Sequence, residues 1–388
     1  MDQLAPCAQA LQPGYVGSLK ITGVKTQIAD LPIKRAHQLA ATRISTQAYL
    51  IVEIETEGGI VGIGEGVTPG GPWWSGDSIE TMKTMVDCYL GPAITGRSAH
   101  NINDLHKVMN HVAAANLFAK GAIDMALWDI LGKALDIPVY NLLGGAVRDK
   151  LEICWALAVG TAEADIAEAE EFFEKGHARV FKLKAGAQSP EADTERTIAV
   201  ARAMGARADI RIDPNQRWDE ATARRMFPRL LDGGCTLVEQ PIQSWNIDGL
   251  ARLRQQFNMR IMADESVTTA QTALDIVRKG GADVVALKIM KSGGITGNRQ
   301  ISAILDAGGV AGFGGTFLDS SIGASAALHL AAAESNISYG CELISGLWLA
   351  EEIVEEPLVY SDFHVHVPTR PGLGMSLDRE KLKHFSRK

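Results

Sequence analysis

The chain has 388 residues, 46% of them hydrophobic and 22% charged, enough apolar side chain to bury one large core or two joined ones. Lys and Arg number 38 against 46 Asp and Glu, a formal charge of −8; with no long basic block, this excludes nucleic acid or an anionic membrane as a natural partner. No apolar run approaches the roughly 20 residues that span a bilayer, and the Met-Asp-Gln start lacks the basic-then-apolar pattern of a leader. Five cysteines (Cys7, Cys88, Cys154, Cys235, Cys341) are odd in number, far apart and form no CxxC pair. That argues against a disulfide framework or zinc knuckle and for a reducing cytoplasm.

Residues 1–145 read as an α+β unit, the expected capping or lid domain. Two β-rich runs, 49–55 and 60–64, flank Gly58-Gly59, a hairpin signal. A helix is expected from Ser78 to Tyr89 after an N-cap. Another is expected from Ala119 to Leu135, where Ile123, Leu127, Ile130, Leu131 and Leu135 recur at three-to-four spacing. Strands followed by helices suit a separate α+β domain, closed by Pro138 and Gly144-Gly145.

Over residues 146–360, short β-type runs alternate with amphipathic helical segments. The expected strands are 152–159, 179–185, 209–213, 236–239, 260–264, 283–288, 310–314 and 338–343. Such spacing fits one strand, a crossover helix and two loops, so the fold class is α/β, a (β/α)7–8 TIM-type barrel. A doubly wound open sheet would carry a glycine-rich phosphate turn after its first strand, and Val159-Gly-Thr-Ala-Glu163 is not one. Residues 361–388, broken by Pro368, Pro371, Gly372 and Gly374, are expected to return to the capping domain.

Barrels of this kind place their chemistry at the carboxyl ends of the strands. Asp213, Glu239 and Asp264 end three consecutive strands. Any one of them alone could cap a helix or pair with an arginine. Three at matching positions need a cation, and all-oxygen ligation favours Mg²⁺ or Mn²⁺ over zinc. Lys182 and Lys184 alternate on one strand and so share a face; Lys288 ends a strand across the mouth. Burial and the neighbouring positive charge are expected to depress these lysines towards the range of a general base. A metal-held carboxylate with a lysine on each face of the adjacent carbon suits chemistry through an enolate.

The pattern Lys182-x-Lys184, Asp213-x-Asn215, Glu239-Gln-Pro, Asp264-Glu-Ser and Lys288 with Ser292-Gly-Gly294 resembles the muconate-lactonizing subgroup of the enolase superfamily. The resemblance runs through nearly the whole chain, including Gly64-Glu-Gly-Val-Thr-Pro-Gly-Gly-Pro-Trp-Trp74, Asn141-Leu-Leu-Gly-Gly145, Glu342-Leu-Ile and Pro371-Gly-Leu-Gly374. It is nearest to the muconate and chloromuconate cycloisomerases of aromatic catabolism. It implies a cytoplasmic isomerase that closes a small dicarboxylate, cis,cis-muconate or a chloro-muconate, to muconolactone through a metal-stabilised enolate. Asp213, Glu239 and Asp264 would hold Mn²⁺ or Mg²⁺, and Lys184 would move the proton, with Lys288 on the opposite face. Lys182 would neutralise the substrate carboxylate and lower the pKa of Lys184. Glu342 would be an acid of the substrate site, while Trp74, Asn215 and Asp319 would touch the substrate. The family commonly forms octamers, so a homo-oligomer is expected.

One segment departs from the resemblance. Gly315-Thr-Phe-Leu-Asp319 has Asp where the cycloisomerases usually have Glu, and Ser320 follows where glycine is common. The alternative within the superfamily is an N-acylamino acid racemase or dipeptide epimerase, which needs the same opposed lysines. An acid-sugar dehydratase would place a histidine on the seventh strand, and Val310-Ala-Gly-Phe-Gly314 has none. The His37 neighbourhood (Lys34-Arg-Ala-His-Gln38) and the Pro72-Trp-Trp74 segment correspond to the family's specificity loops, read as a water-excluding cover. Trp73 and Trp74 could equally pack between domains. His364 and His366 alternate on a late β-type run and read as structural.

Overall fold

The computed structural model describes residues 18–38, 42–158 and 160–387. Its N-terminal part is a three-stranded antiparallel sheet, Ile21–Gln38, Arg43–Thr56 and Val61–Val67, ordered as in the chain. The hairpin at Gly58-Gly59 is present: Gly59 takes φ 80° and its N–H donates to the Thr56 carbonyl at 2.9 Å, the left-handed geometry glycine adopts without strain. Ser78 caps the helix Ile79–Met85 in a capping box with Thr81.

The helix Leu117–Ala134 departs from a one-sided amphipathic reading, because almost every residue from Phe118 to Ile130 is buried. One side lies on the cap sheet. A Cβ at Gly64 would stand 2.0 Å from the Ala122 carbonyl oxygen, so this strand and helix approach closely only through glycine. The other side meets the barrel, where Asp124 accepts hydrogen bonds from the Thr296 amide at 3.2 Å and the Thr296 hydroxyl at 2.5 Å. Gly294, at φ 100°, precedes the helix Ile295–Ala307, and a Cβ there would come within 2.2 Å of Asp124 Oδ2. Gly294→Ala is therefore expected to loosen cap from barrel and cost about 2 kcal/mol or more, read as a lowered urea midpoint.

Seven parallel strands follow in consecutive order: Cys154–Leu157, Val180–Lys184, Asp209–Asp213, Leu237–Glu239, Arg260–Ala263, Val284–Leu287 and Ala311–Gly314. Each falls within its expected segment. The expected eighth strand, 338–343, is reduced to a closing bridge. Cys341 pairs in parallel with both Ile153 and Gly314, and its amide donates to the Glu152 carbonyl at 2.8 Å. The turn at Gly340, φ 82°, breaks the extended backbone just before it. The helix directly after it, Ser345–Trp348, has four residues, too short for a crossover helix, so the barrel is seven full units and a bridge that completes its ring.

Tyr360–Ser361 and His364–His366 join Lys150–Glu152 in a small antiparallel sheet. There the His366 ring meets the Ser361 hydroxyl at 2.7 Å. Beyond the helix Arg379–His384 the chain reaches the cap sheet: the Asp30 amide donates to the Phe385 carbonyl and the Arg387 amide to the Ile28 carbonyl, each at 2.9 Å. Cys88, Cys154, Cys235 and Cys341 are free thiols, and Cys7 lies outside the described residues. No helix among the described residues is long and apolar enough to cross a membrane.

Candidate active site

Strand register brings the candidate residues together. In Val180–Lys184 the even positions face the barrel interior, and Lys184 pairs in register with Asp213 on the next strand. Counting the closing bridge as the eighth stave, Lys184 stands on the second and Lys288 just beyond the sixth, on opposite sides of the ring. Asp213, Glu239 and Asp264 belong to the third, fourth and fifth staves between them, and Glu342 to the eighth.

Each acid carries an ammonium. Lys184 Nζ donates to Asp213 Oδ2 at 2.8 Å and Lys288 Nζ to Asp264 Oδ2 at 2.6 Å. Lys182, fully buried, bridges Glu239 Oε2 and Glu342 Oε2, the latter at 2.6 Å. A fourth lysine, Lys291, donates to the Asp264 carbonyl at 2.6 Å and to Oδ1 at 2.8 Å. As arranged, the three acids do not converge on one point. Yet five carboxylates, with Glu265 as the fifth, face only four ammoniums, and Glu239 Oε1, Glu265 Oε2 and Glu342 Oε1 are buried without any hydrogen-bond partner. Orphaned carboxylate oxygens and surplus negative charge in a buried site fit a hard divalent cation.

The electrostatics reverse one expectation. Burial is the largest single influence on Lys184 and would depress it, but the Asp213, Glu342 and Glu239 carboxylates together outweigh it and the net shift is upward. Against burial, Lys288 is raised in the same way by Asp264 with Glu239 and Glu265, and Lys182 by Glu239 and Glu342 with Asp213. A count of burial and neighbouring lysines left out the carboxylates that face each ammonium. Lys291 alone among the four is lowered, by burial first. Burial, then Asp213, pushes Glu239 up to about 7, and burial with Asp264 pushes Glu265 up to about 8. For Asp264 burial is outweighed by Lys288 and Lys291, which hold it below the usual carboxylate range.

Above these groups lies a narrow pocket walled by Lys184, Lys288, Asn215 and Glu342 and roofed by Trp74 and Phe317. The roof both covers and packs: the Trp74 ring stands edge-on to Phe317 at 4.6 Å and tilts on Phe118 at 6.3 Å. Lys288 Nζ lies 4.7 Å from the Phe317 centroid and 5.4 Å from that of Trp74, cation–π distances. Trp73 donates to the Pro69 carbonyl at 2.6 Å and holds the turn that presents its neighbour. Asn215, at φ 45°, donates from its backbone to Asp213 Oδ1 at 2.9 Å and from its side chain to Glu265 at 3.3 Å.

Two expected contacts lie off the pocket wall. Lys182 sits beneath it, between its two glutamates. Asp319 folds back on its own turn, accepting from the Thr316 hydroxyl at 2.5 Å and the Phe317 amide at 3.3 Å. Residues 34–38, read as a loop, form the end of the strand Ile21–Gln38, with His37 opposite Ile44 beyond a register shift. Sequence reasoning missed Lys291, Glu265 and Phe317. Glu265 stood inside the quoted Asp264-Glu-Ser motif, and Lys291 lies one short helical turn after Lys288, the spacing that returns a side chain to the same side.

His37 is fully buried with neither ring nitrogen paired, edge-on to Trp348. Burial, then Arg35 and Lys184, lowers it to about 3; burial lowers His329 to about 4. An unfolded histidine titrates near about 6.5. Below that pH the unfolded chain takes up protons the native state refuses, so stability present above it is lost as pH falls. For His329 the loss at pH 4 is on the order of 3 kcal/mol. Urea midpoints of His329→Gln at pH 7 and pH 4 are expected to differ less than those of the unmodified protein.

Comparison with known proteins follows the same lines. The family "Mandelate racemase / muconate lactonizing enzyme, N-terminal domain" matches residues 21–144 and "Enolase C-terminal domain-like" matches 164–381. Muconate cycloisomerase 1 of Rhodococcus opacus is 42% identical over 369 residues, 95% of this chain and 99% of that one. A chloromuconate cycloisomerase of Delftia acidovorans is 40% identical over 95% of this chain and all of its own. Among solved structures, muconate lactonizing enzyme from Pseudomonas fluorescens complexed with muconolactone superposes with a TM-score of 0.94 at 40% identity, covering 96% of this chain and 100% of that one. The 2-chloromuconate cycloisomerase from Rhodococcus opacus 1CP gives 0.93 at 42% identity, covering 95% and 100%.

Proposed function

Since the chain belongs to the mandelate racemase / muconate lactonizing enzyme family, we propose that it is a cycloisomerase joining cis,cis-muconate, or a chlorinated muconate, and its lactone. The observation that carries this reading is the pair Lys184 and Lys288 walling one pocket from opposite staves, with the acids of three consecutive strands between them. One substrate carboxylate oxygen forms a C–O bond to the far carbon of the conjugated double bond. The electron pair moves onto the other carboxylate as an enolate, and a proton returns to the adjacent carbon. For cis,cis-muconate the dianion thus takes up one proton, drawn from solvent through the protein, and loses no atom.

Asp213, Glu239 and Asp264 would hold a divalent cation, Mn²⁺ or Mg²⁺, which when bound supplies positive charge against the enolate. Lys184 delivers the proton from its ammonium Nζ, and Lys288 offers its charge to the opposite face. Lys182, pinned between Glu239 and Glu342, offsets their negative charge below the substrate. Trp74 and Phe317 exclude water from the enolate.

The test is turnover of cis,cis-muconate with Mn²⁺ in D₂O, followed by loss of diene absorbance and by proton NMR. One deuterium incorporated stereospecifically into muconolactone supports the reading. No loss of diene, with deuterium wash-in at the α-carbon of N-succinylamino acids or dipeptides, replaces it with a racemase or epimerase.

A further inference from the structure

The cap reaches the pocket by a route that leaves the reacting groups untouched. Glu65, on the strand Val61–Val67, is fully buried, and its carboxylate accepts from both the backbone amide of Ser320, at 3.0 Å, and the Ser320 hydroxyl. Ser320 ends the 315–319 turn and caps the helix Ser321–Ala333, accepting from the Ile322 amide at 3.2 Å. Gly323 makes the room: a Cβ there would stand 2.7 Å from Glu65 Oε1 and 3.1 Å from Asp319 Cβ. Two residues before Ser320, Tyr49 of the second cap strand donates its hydroxyl to the Leu318 carbonyl at 2.8 Å. Leu318 has φ 68°, a conformation a branched side chain keeps only when its surroundings impose it.

Between these two grips the turn closes on itself. The Thr316 hydroxyl donates to Asp319 and accepts from the amides of Leu318, at 2.9 Å, and Asp319, at 3.1 Å. Thr316, Phe317 and Leu318 are the part of this turn that faces the pocket. The turn therefore moves as a unit, fixed at its far end by a carboxylate from the other domain. Burial and the nearby Asp319 raise the Glu65 pKa, and the two hydrogen bonds from Ser320 act in the opposite direction.

We infer that Glu65 is a positioning residue for the substrate pocket: its double contact with Ser320, supported by Tyr49 on Leu318, sets where Thr316 and Phe317 stand over Lys288. The kinetic part of this inference rests on the cycloisomerase reading, whereas its structural part does not. Ser320 is what makes the contact double, because a glycine would leave Glu65 Oε2 without its hydroxyl donor.

The test joins kinetics with hydrogen–deuterium exchange. Glu65→Ala removes the acceptor, and the 315–322 amides are expected to exchange about tenfold faster or more while the remaining strands keep their rates. KM for muconate should rise about tenfold with kcat changed less than about threefold, the split expected of lost positioning rather than lost chemistry. Glu65→Gln keeps an acceptor for the Ser320 amide and should stay within about twofold of the unmodified protein in both readouts. If Glu65→Ala does not fold, Ser320→Ala decides, with faster local exchange and a raised KM expected. Unchanged exchange at 315–322 in the folded variant overturns the inference, as does a fall in melting temperature with KM unmoved. If the unmodified protein does not turn over muconate, the functional reading fails alone, and the exchange rates still decide the positioning.

Discussion

Lys184→Ala is expected to slow lactone formation about 10³-fold or more, within the range for loss of a positioned general acid, while the barrel stays folded. The side chain is the last of its strand and is 15% exposed, so truncation leaves no enclosed cavity. Asp213 loses one ammonium but keeps the Asn215 amide at 2.9 Å. The loss should therefore fall in kcat, read by single-turnover absorbance, with an unchanged circular dichroism spectrum. Lys288→Ala separates the two lysines. If Lys184 delivers the proton, the residual product of that variant formed in D₂O carries deuterium on the same face as the product of the unmodified protein. Deuterium on the other face would assign delivery to Lys288.

Glu239→Gln is expected to weaken Mn²⁺ binding at least about 100-fold, more than loss of an outer partner costs, measured by titration calorimetry. The substitution keeps shape and removes charge at an acid whose Oε2 is taken by Lys182 and whose Oε1 has no hydrogen-bond partner, and whose group sits at about 7 through burial and Asp213. Lys182 keeps Glu342, so the ammonium is not stranded. Asp213→Asn and Asp264→Asn should act alike, whereas Glu342→Gln should leave the cation affinity within about tenfold. Metal at about 100 times its Kd adds about 2.7 kcal/mol to stability. Chelation should thus lower the melting temperature of the unmodified protein and scarcely move that of Glu239→Gln.

The barrel was legible because its strands are short apolar runs that end in an acid or a lysine, as in Leu237-Val-Glu239 and Val284-Val-Ala-Leu-Lys288. Parallel strands buried on both faces write themselves that way. The eighth run, Ser338-Tyr-Gly-Cys-Glu-Leu343, is less apolar, and Gly340 turns the backbone away after too little length to form a ladder. The first cap strand, Ile21–Gln38, escaped notice because its alternation is weak and Pro32 interrupts it. Proline is tolerated there because the strand lies at the sheet edge. Within the site, residue types were readable and pairings were not. Which carboxylate faces which lysine is set by strand tilt and stave order, so the direction of the lysine shifts could not be inferred from neighbours in sequence. Asp319 shows the same limit: a one-methylene difference marked the right turn, but the side chain serves the turn instead of the pocket.

The outer edge of the cap sheet has its own timetable. The amide of Asp30 and the carbonyl of Ile28 pair with Phe385 and Arg387, and the Arg387 guanidinium closes on the Asp30 carboxylate at 2.5 and 2.8 Å. A ribosome making this chain releases the strand early and its cover about 350 residues later, which at 5–20 residues per second is roughly 20 to 70 seconds. Throughout that interval the nascent cap presents a bare row of hydrogen-bonding groups, a template for pairing with another unfinished chain. Chaperone demand and inclusion-body formation should track how fast the final stretch is translated, and slow codons before residue 385 should lower soluble yield while leaving the finished enzyme unchanged.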